Sequence, residues 1–202
     1  MSFMIAWINF IIFLICLPLW GGLYLFSLQP MKRVEKVGEK GWKQCGDVRI
    51  IAGLIYYITW ANYFLWIWFP IESLQFTITN QYYISLIIGL IFLISSIPLF
   101  YFGVKSTGKE TMRPNKEKKM NTGIYEYIRH PQIISDWLMF IGFAFISNSW
   151  VLLDITLLFI VVYTPIMIKK EEDDLIKRYG DEYRVYQKRT GALFPKIRKR
   201  KQ

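Results

Sequence analysis

The chain has 202 residues, of which 53% are hydrophobic, and its formal net charge is +10. No charged residue occurs in 3–28, 50–71 or 75–104. A helix needs about 20 predominantly apolar residues to cross a bilayer, and each of these runs meets that requirement. The composition therefore excludes a soluble enzyme, a disordered tail and a secreted scaffold built on disulfides.

The first run predicts a retained span, because no basic residue precedes it and it is too long for the apolar part of a signal peptide. Two further apolar stretches, 132–147 and 150–168, carry one acid each. Asn148-Ser149 between them is a turn signal. Sixteen residues rise only about 24 Å as a helix, so the fourth span is short. Together the two stretches predict a tight antiparallel helix hairpin.

These patterns predict an all-α fold, a polytopic membrane bundle with about five transmembrane helices. A single membrane domain is expected over 1–202. In 169–189, apolar and tyrosine side chains recur every three or four residues from Leu175 to Tyr186, which predicts an amphipathic C-terminal helix interrupted at Gly180. A cytosolic cofactor-binding part is expected in 104–131 and 169–197. The expected spans are 3–28, 50–71, 83–103, 132–147 and 150–168.

The basic residues predict the orientation. All 25 Lys and Arg fall in three segments, 29–49, 104–131 and 169–202, which five spans place on one side. The positive-inside rule makes that side cytosolic, with the N-terminus outside and the C-terminus in the cytosol. The basic run 196–201 is interpreted as attraction to anionic lipid rather than as a nucleic-acid site.

Few side chains in this chain suit a metal or a disulfide. His130 is the only histidine, which excludes a multi-histidine metal site. Cys16 lies inside an apolar run and Cys45 in a charged loop within 29–49, so the two are expected at different depths and unpaired. No metal cofactor is predicted.

Two polar clusters flank the predicted hairpin, 121–131 before it and 169–174 after it. Antiparallel pairing returns the chain to its entry point, so both clusters should meet at one membrane face. Pro131 suits the first position of a helix, whose free N–H groups favour a carboxylate, and Glu171 and Glu172 can accept from a ribose diol. S-adenosylmethionine matches both halves, as would other polar ligands.

The segment 123–131, with Arg129-His130-Pro131, and the later Glu171-Glu172 and Tyr179–Tyr183 region resemble the isoprenylcysteine carboxyl methyltransferase family, with the related phospholipid methyltransferases. The resemblance spans roughly 100–197. It implies an integral membrane S-adenosylmethionine-dependent methyltransferase whose lipid or prenylated substrate enters from the bilayer. The resemblance implies cofactor contacts for Tyr125, Arg129, His130, Pro131, Glu171 and Glu172, with Leu175 and Tyr183 in support.

The acceptor is the open question. Isoprenylcysteine carboxylate is the first expectation, which would need a cationic partner, and Arg129, Lys169 and Glu171 are the expected catalytic residues. A phospholipid ethanolamine headgroup is the alternative, and an amine acceptor would need a base such as Glu171 or Asp136. A sterol-reductase-like enzyme using NADPH and a non-catalytic membrane protein are the alternatives of other classes. The N-terminal half is expected to matter mainly for assembly, and the oligomeric state is open.

Overall fold

The computed structural model describes residues 2–114 and 122–196. Within them the fold is all-α, as predicted, and the one β-type pairing is an isolated bridge between Ile128 and Gly191. The α-helices are α1 Ser2–Ser27, α2 Pro30–Val37, α3 Lys40–Trp68, α4 Tyr82–Thr107, α5 Pro131–Ile146, α6 Trp150–Tyr179 and α7 Asp181–Arg189.

Four of these helices, α1, α3, α4 and α6, are long and apolar enough to cross a membrane. The fifth apolar helix, α5, has 16 residues and is the short one that the sequence predicts. Lipid-facing side chains remain exposed along the long helices, for example Ile94 and Val161. The chain is therefore a multi-pass membrane protein, since a bilayer is the solvent that these apolar surfaces require.

Helices α4 and α5 pack closely because glycines face each other where they cross. A Cβ atom on Gly89 would lie 2.7 Å from the carbonyl oxygen of Gly142, and one on Gly142 would lie 2.9 Å from that of Gly89. The Ser85 hydroxyl also donates to the Phe145 carbonyl at 2.6 Å. Small residues at a helix crossing allow close backbone contact and interhelical hydrogen bonds, which stabilise helix pairs in lipid.

Helices α5 and α6 form the predicted hairpin, and a tight turn at Asn148-Ser149 joins them, as the sequence predicts. Asn148 has a positive φ of 48°, a conformation that asparagine tolerates better than most residues. Its side chain accepts from the Thr79 amide at 3.1 Å and donates to the Thr79 carbonyl at 3.0 Å. Ser149 then caps α6 by accepting from the Leu152 amide.

The polar end of the bundle is more helical than the sequence predicts. Segment 29–49, interpreted as a loop, forms α2 and the first turns of α3. Segment 169–179 continues the last span without a break, and the chain turns only at Gly180, whose φ is 59°. The charged turns of α6 beyond Ile168 therefore project rigidly from the apolar part, and they hold Glu171 and Glu172.

Candidate functional site

The hairpin brings His130 onto the two glutamates, and this confirms the predicted meeting of the polar clusters. His130 occupies the N-cap position of α5, and Glu171 and Glu172 lie on α6. His130 Nδ1 lies 3.1 Å from Glu171 Oε2, and Nε2 lies 3.1 Å from Glu172 Oε1. One imidazole thus bridges two neighbouring carboxylates across the mouth of the hairpin.

Arg129 completes this cluster on the Glu172 side. Its Nε donates to Glu172 Oε1 at 2.7 Å, and its Nη1 donates to the carbonyls of Gln187 and Thr190. The second Glu172 oxygen accepts from the Gln187 side-chain amide at 2.8 Å. Glu172 is thereby fully engaged within the protein, because three side chains donate to its carboxylate.

The segment after α7 holds this cluster in place through the backbone. The Arg129 and His130 amides donate to the Gly191 and Ala192 carbonyls at 2.9 and 3.0 Å. The Tyr186 hydroxyl donates to the Tyr125 carbonyl at 2.5 Å. The C-terminal amphipathic helix therefore packs on the polar end of the bundle, as expected, and fixes the approach to α5.

His130 is an imidazolium in this arrangement. Both ring nitrogens face carboxylate oxygens, so both must donate, which requires the protonated form. Burial by itself would lower the pKa of His130. Hydrogen bonds to Glu171 and Glu172 and their negative charges outweigh burial and raise this pKa to about 9.

The raised pKa predicts a stability loss at alkaline pH. A group whose pKa is higher in the folded state stabilises that state as long as it is protonated. For His130 this contribution is fully present below the ordinary pKa of 6.5 and is lost as pH rises through about 9. The free energy of unfolding should fall by on the order of 3 kcal/mol across that window. Denaturant unfolding in detergent at several pH values measures this, with His130→Gln as the non-titrating control. An equal slope in that variant would contradict the assignment.

A polar cleft opens on the Glu171 side of the cluster. Its enclosed volume is about 40 Å³, room for a few waters, so a nucleoside-sized ligand requires its walls to separate. Among the described residues that line it, Glu171 is the only one with a carboxylate. The lining combines a carboxylate, cations, hydroxyls, an amide and apolar side chains, from Tyr24, Leu28, Arg49, Thr107, Thr111, Tyr125, Gln132, Glu171, Leu175 and Arg178.

The N-terminal half supplies part of this lining, whereas the sequence predicted that it serves mainly assembly. Tyr24 comes from the last turn of α1, and Arg49 comes from α3. Arg49 is buried, donates to the Ser27 carbonyl at 2.9 Å and lies over the Tyr24 ring. The sequence signal that could have identified Arg49 is its position directly before the uncharged run 50–71, since charges at membrane depth usually mark sites.

The predicted site residues therefore separate into three groups. Tyr125, Glu171 and Leu175 line the cleft. Arg129, His130 and Glu172 form the ion-pair cluster behind it, supported by the start of α5 at Pro131 and by Tyr183, whose ring packs on Tyr186 at 5.6 Å. Lys169 is exposed and lies beside Glu172 on a separate groove of α6.

A second carboxylate lies deeper on the face of α5 that carries Gln132. Asp136 follows Gln132 by four residues, so the two side chains share one helix face about one turn apart. The Tyr56 hydroxyl donates to Asp136 Oδ1 at 2.5 Å. Among residues 2–114 and 122–196, Tyr56 is the one side chain that hydrogen-bonds to this carboxylate. Asp136 thus retains capacity to accept from a ligand.

Aromatic rings surround the Asp136–Tyr56 pair. Trp20 packs its ring on Tyr56 at 4.9 Å, and Phe140, one turn after Asp136, packs on Tyr56 at 5.4 Å. Tyr24, which lines the cleft, packs on the same Trp20 at 6.4 Å. The aromatic cluster is therefore continuous from the cleft to Asp136, and ring faces of this kind attract cations.

No group of three or more potential metal ligands occurs in the described parts of the chain. The described side chains of the site are carboxylates, one imidazolium, guanidinium groups and aromatic rings, at the polar end of the bundle. Side chains of these kinds can bind polar organic ligands and accept protons.

Comparison with known proteins agrees with this geometry. Residues 82–182, which contain all of α4, α5 and α6 together with His130 and both glutamates, match the family model described as phospholipid methyltransferase. The chain is also 30% identical over 154 residues to a methanethiol S-methyltransferase of Pseudomonas deceptionensis. That match covers 66% of this chain and 54% of the relative, so the chain spans about half the length of the relative it matches.

The chain is thus a member of a class of helical membrane proteins whose polar site lies at the mouth of a short hairpin. It belongs to the phospholipid methyltransferase family, and the resemblance drawn from the Arg129-His130-Pro131 and Glu171-Glu172 motifs is confirmed.

Proposed function

We propose that this protein is an S-adenosylmethionine-dependent methyltransferase that acts on an acceptor arriving from the bilayer. The observation that carries the proposal is Glu171, held by the His130 imidazolium with one carboxylate oxygen and presented to the cleft between α1, α3, α5 and α6. Family membership and the methyltransferase named among its relatives support the same reaction class.

The chemistry of the cleft suits each part of this cofactor. Glu171 can accept from a ribose diol, and the Arg49 guanidinium can pair with a carboxylate. The rings of Tyr24 and Tyr125 offer apolar faces to a purine and to a positive sulfur. Arg129, His130 and Glu172 support this arrangement from behind rather than contacting the ligand, and binding separates the cleft walls.

We propose Asp136 as the proton acceptor of the reaction. S-adenosylmethionine would supply a methyl group bound to a positively charged sulfur. After transfer of the methyl group, that sulfur would be part of a neutral thioether. The Asp136 carboxylate takes the proton of a thiol or amine acceptor, whose freed electron pair forms the new bond to the methyl carbon. Tyr56 holds the carboxylate by its 2.5 Å hydrogen bond, and the surrounding rings exclude water.

A proton-bearing acceptor is favoured over a carboxylate by the positions of the cations. Isoprenylcysteine carboxylate would need a positive partner beside the reacting oxygen. Arg129 is engaged by Glu172 and two carbonyls, and Lys169 is exposed on another groove. Of the two arginines that line the cleft, Arg178 pairs with Asp174 and Arg49 is assigned to the cofactor carboxylate. We therefore place a thiol first, because the relative is named for one, and the amine of a phospholipid headgroup second.

The orientation is part of the proposal. The ends of α1, α4 and α6 and the starts of α3 and α5 converge at one end of the bundle, where the described Lys and Arg are concentrated. We propose that this end faces the cytosol, where the cofactor is made available, in agreement with the positive-inside rule. The basic run 196–201 lies, except for Lys196, outside the described residues.

The test is labelled methyl transfer by the purified protein in lipid nanodiscs. The acceptors compared are an alkanethiol, phosphatidylethanolamine and a prenylcysteine analogue, and binding of S-adenosylmethionine and of NADPH is measured in parallel by calorimetry. We expect cofactor binding and transfer to the thiol, with the amine next. Binding of NADPH in place of S-adenosylmethionine would refute the proposal, and transfer to prenylcysteine alone would refute the choice of acceptor.

A further inference from the structure

A basic groove lies at the corner where α1 ends and α2 begins, on a different face of α1 from the cleft. Its apolar wall is formed by Gly22, Leu25 and Phe26 of α1, whereas Tyr24 and Leu28 face the cleft. The groove has a volume of about 360 Å³, within the range typical of small-molecule sites. It is therefore separate from the methyl-transfer site.

The rim of this groove is positively charged, and none of the described residues that line it is acidic. Lys32, Arg33 and Lys36 from α2 and Lys170 from α6 line it. Arg33 is held by donating to Gln44 at 2.7 Å and by lying over the Phe26 ring. Within the described ranges no ion pair involves Lys32, Lys36 or Lys170, so their charges are available to a ligand.

The acid nearest in sequence does not neutralise the rim. Glu35 of α2 accepts from Lys177 Nζ at 2.8 and 3.0 Å, and it is not among the groove's lining residues. Helix α2 thus turns its glutamate toward α6 and its lysines toward the groove. Four cations converge where the apolar wall of a membrane span ends.

We propose that this groove binds one anionic phospholipid of the bilayer. The phosphate would lie among Lys32, Lys36, Arg33 and Lys170, and an acyl chain would follow the wall formed by Gly22, Leu25 and Phe26. Clusters of lysine and arginine beside the end of a membrane span attract anionic lipid, and the apolar wall distinguishes a lipid from a free anion. The lipid would tie α1, α2 and α6 together beside the cleft.

The first test is native mass spectrometry of the full-length protein in a nonionic detergent. Phosphatidylglycerol, phosphatidylcholine and inorganic phosphate are titrated separately, and phosphatidylglycerol should bind roughly tenfold or more tightly than phosphatidylcholine. Equal binding of the two lipids would overturn the proposal. Displacement of phosphatidylglycerol by inorganic phosphate at similar concentrations would reduce the site to an anion site and overturn the lipid assignment.

The second test replaces the cations. The triple variant Lys32→Gln, Lys36→Gln and Lys170→Gln should lose roughly tenfold or more in affinity for phosphatidylglycerol. The matched control Lys40→Gln, Lys43→Gln and Lys188→Gln makes the same change in net charge at exposed positions outside the groove, and it should keep its affinity. An equal loss in both variants would show general attraction to the membrane and overturn a site.

The third test fills the apolar wall. A Cβ atom on Gly22 would meet no atom within 4 Å, and Gly22 lines the groove, so Gly22→Leu adds apolar volume to the groove. We expect an unchanged thermal unfolding temperature and a roughly tenfold weaker affinity for phosphatidylglycerol, about 1.4 kcal/mol. Unchanged affinity in a folded Gly22→Leu protein would overturn the placement of the acyl chain.

Discussion

Asp136→Asn should lower the rate of methyl transfer by roughly 10²- to 10⁴-fold while leaving the affinity for S-adenosylmethionine unchanged. The amide has nearly the shape of the carboxylate and can still accept from the Tyr56 hydroxyl, so the aromatic cluster should stay folded. It cannot take a proton from a thiol or an amine. Single-turnover kinetics with labelled cofactor, together with calorimetry, separate the two quantities.

The control for this prediction is Asp154→Asn. Asp154 is exposed in the first turns of α6, near the end of the bundle away from the cleft. The change is chemically identical, and it should leave the rate within about twofold of the original, as expected for an exposed residue far from the site. An Asp136→Asn protein with full activity toward every acceptor would refute the role of a base and would favour an acceptor that carries no proton.

The variants Glu171→Gln and Glu172→Gln should separate cofactor binding from stability, although the two residues are neighbours. Glu171 faces the cleft, and a lost hydrogen bond to a charged group costs about 1.5 to 3 kcal/mol. Glu171→Gln should therefore weaken binding of S-adenosylmethionine by roughly 10- to 100-fold. Its unfolding midpoint should fall less than that of Glu172→Gln, because glutamine can still accept from His130 and Glu172 remains as a charge partner of the imidazolium.

Glu172→Gln is the matched comparison. The Glu172 carboxylate is the charge partner of Arg129, whose side chain is 9% exposed. Removing one member of a buried ion pair typically costs 3–5 kcal/mol, because the remaining charge is left uncompensated. We expect a clear loss of stability in detergent and a smaller effect on cofactor affinity of the folded fraction. The reverse pattern, with Glu172 controlling affinity and Glu171 stability, would contradict the assignment of the cleft.

Much of the architecture could be predicted because its signals are local. Long uncharged runs indicate membrane spans whatever their neighbours are, and the basic segments predict which ends of the spans lie on the same side of the membrane. Asn148-Ser149 indicated the turn and Pro131 the start of α5, and both predictions are confirmed. The proximity of His130 to the glutamates followed from the hairpin alone, since an antiparallel pair returns the chain to its starting point.

Helix extent at the polar end was less predictable. The charged segment 29–49 was interpreted as a loop, yet α3 begins within it at Lys40. Segment 169–179 was predicted to belong to a separate surface helix, yet α6 continues through it to Tyr179. Most helix stability in proteins comes from packing rather than from propensity. Contacts of these turns with the rest of the polar end, such as Lys177 with Glu35, are not visible in a local pattern.

The sequence by itself determined the class of fold, the approximate spans and the pair of motifs that meet at the hairpin mouth. Only the tertiary structure decided that Glu171 faces the cleft while Glu172 pairs with Arg129, that Tyr24 and Arg49 complete the lining, and that Tyr56 holds Asp136. The physical reason is that lipid is as apolar as a protein interior. Hydrophobic patterning therefore carries little information on how a span is rotated, and contacts such as the Gly89–Gly142 crossing decide it.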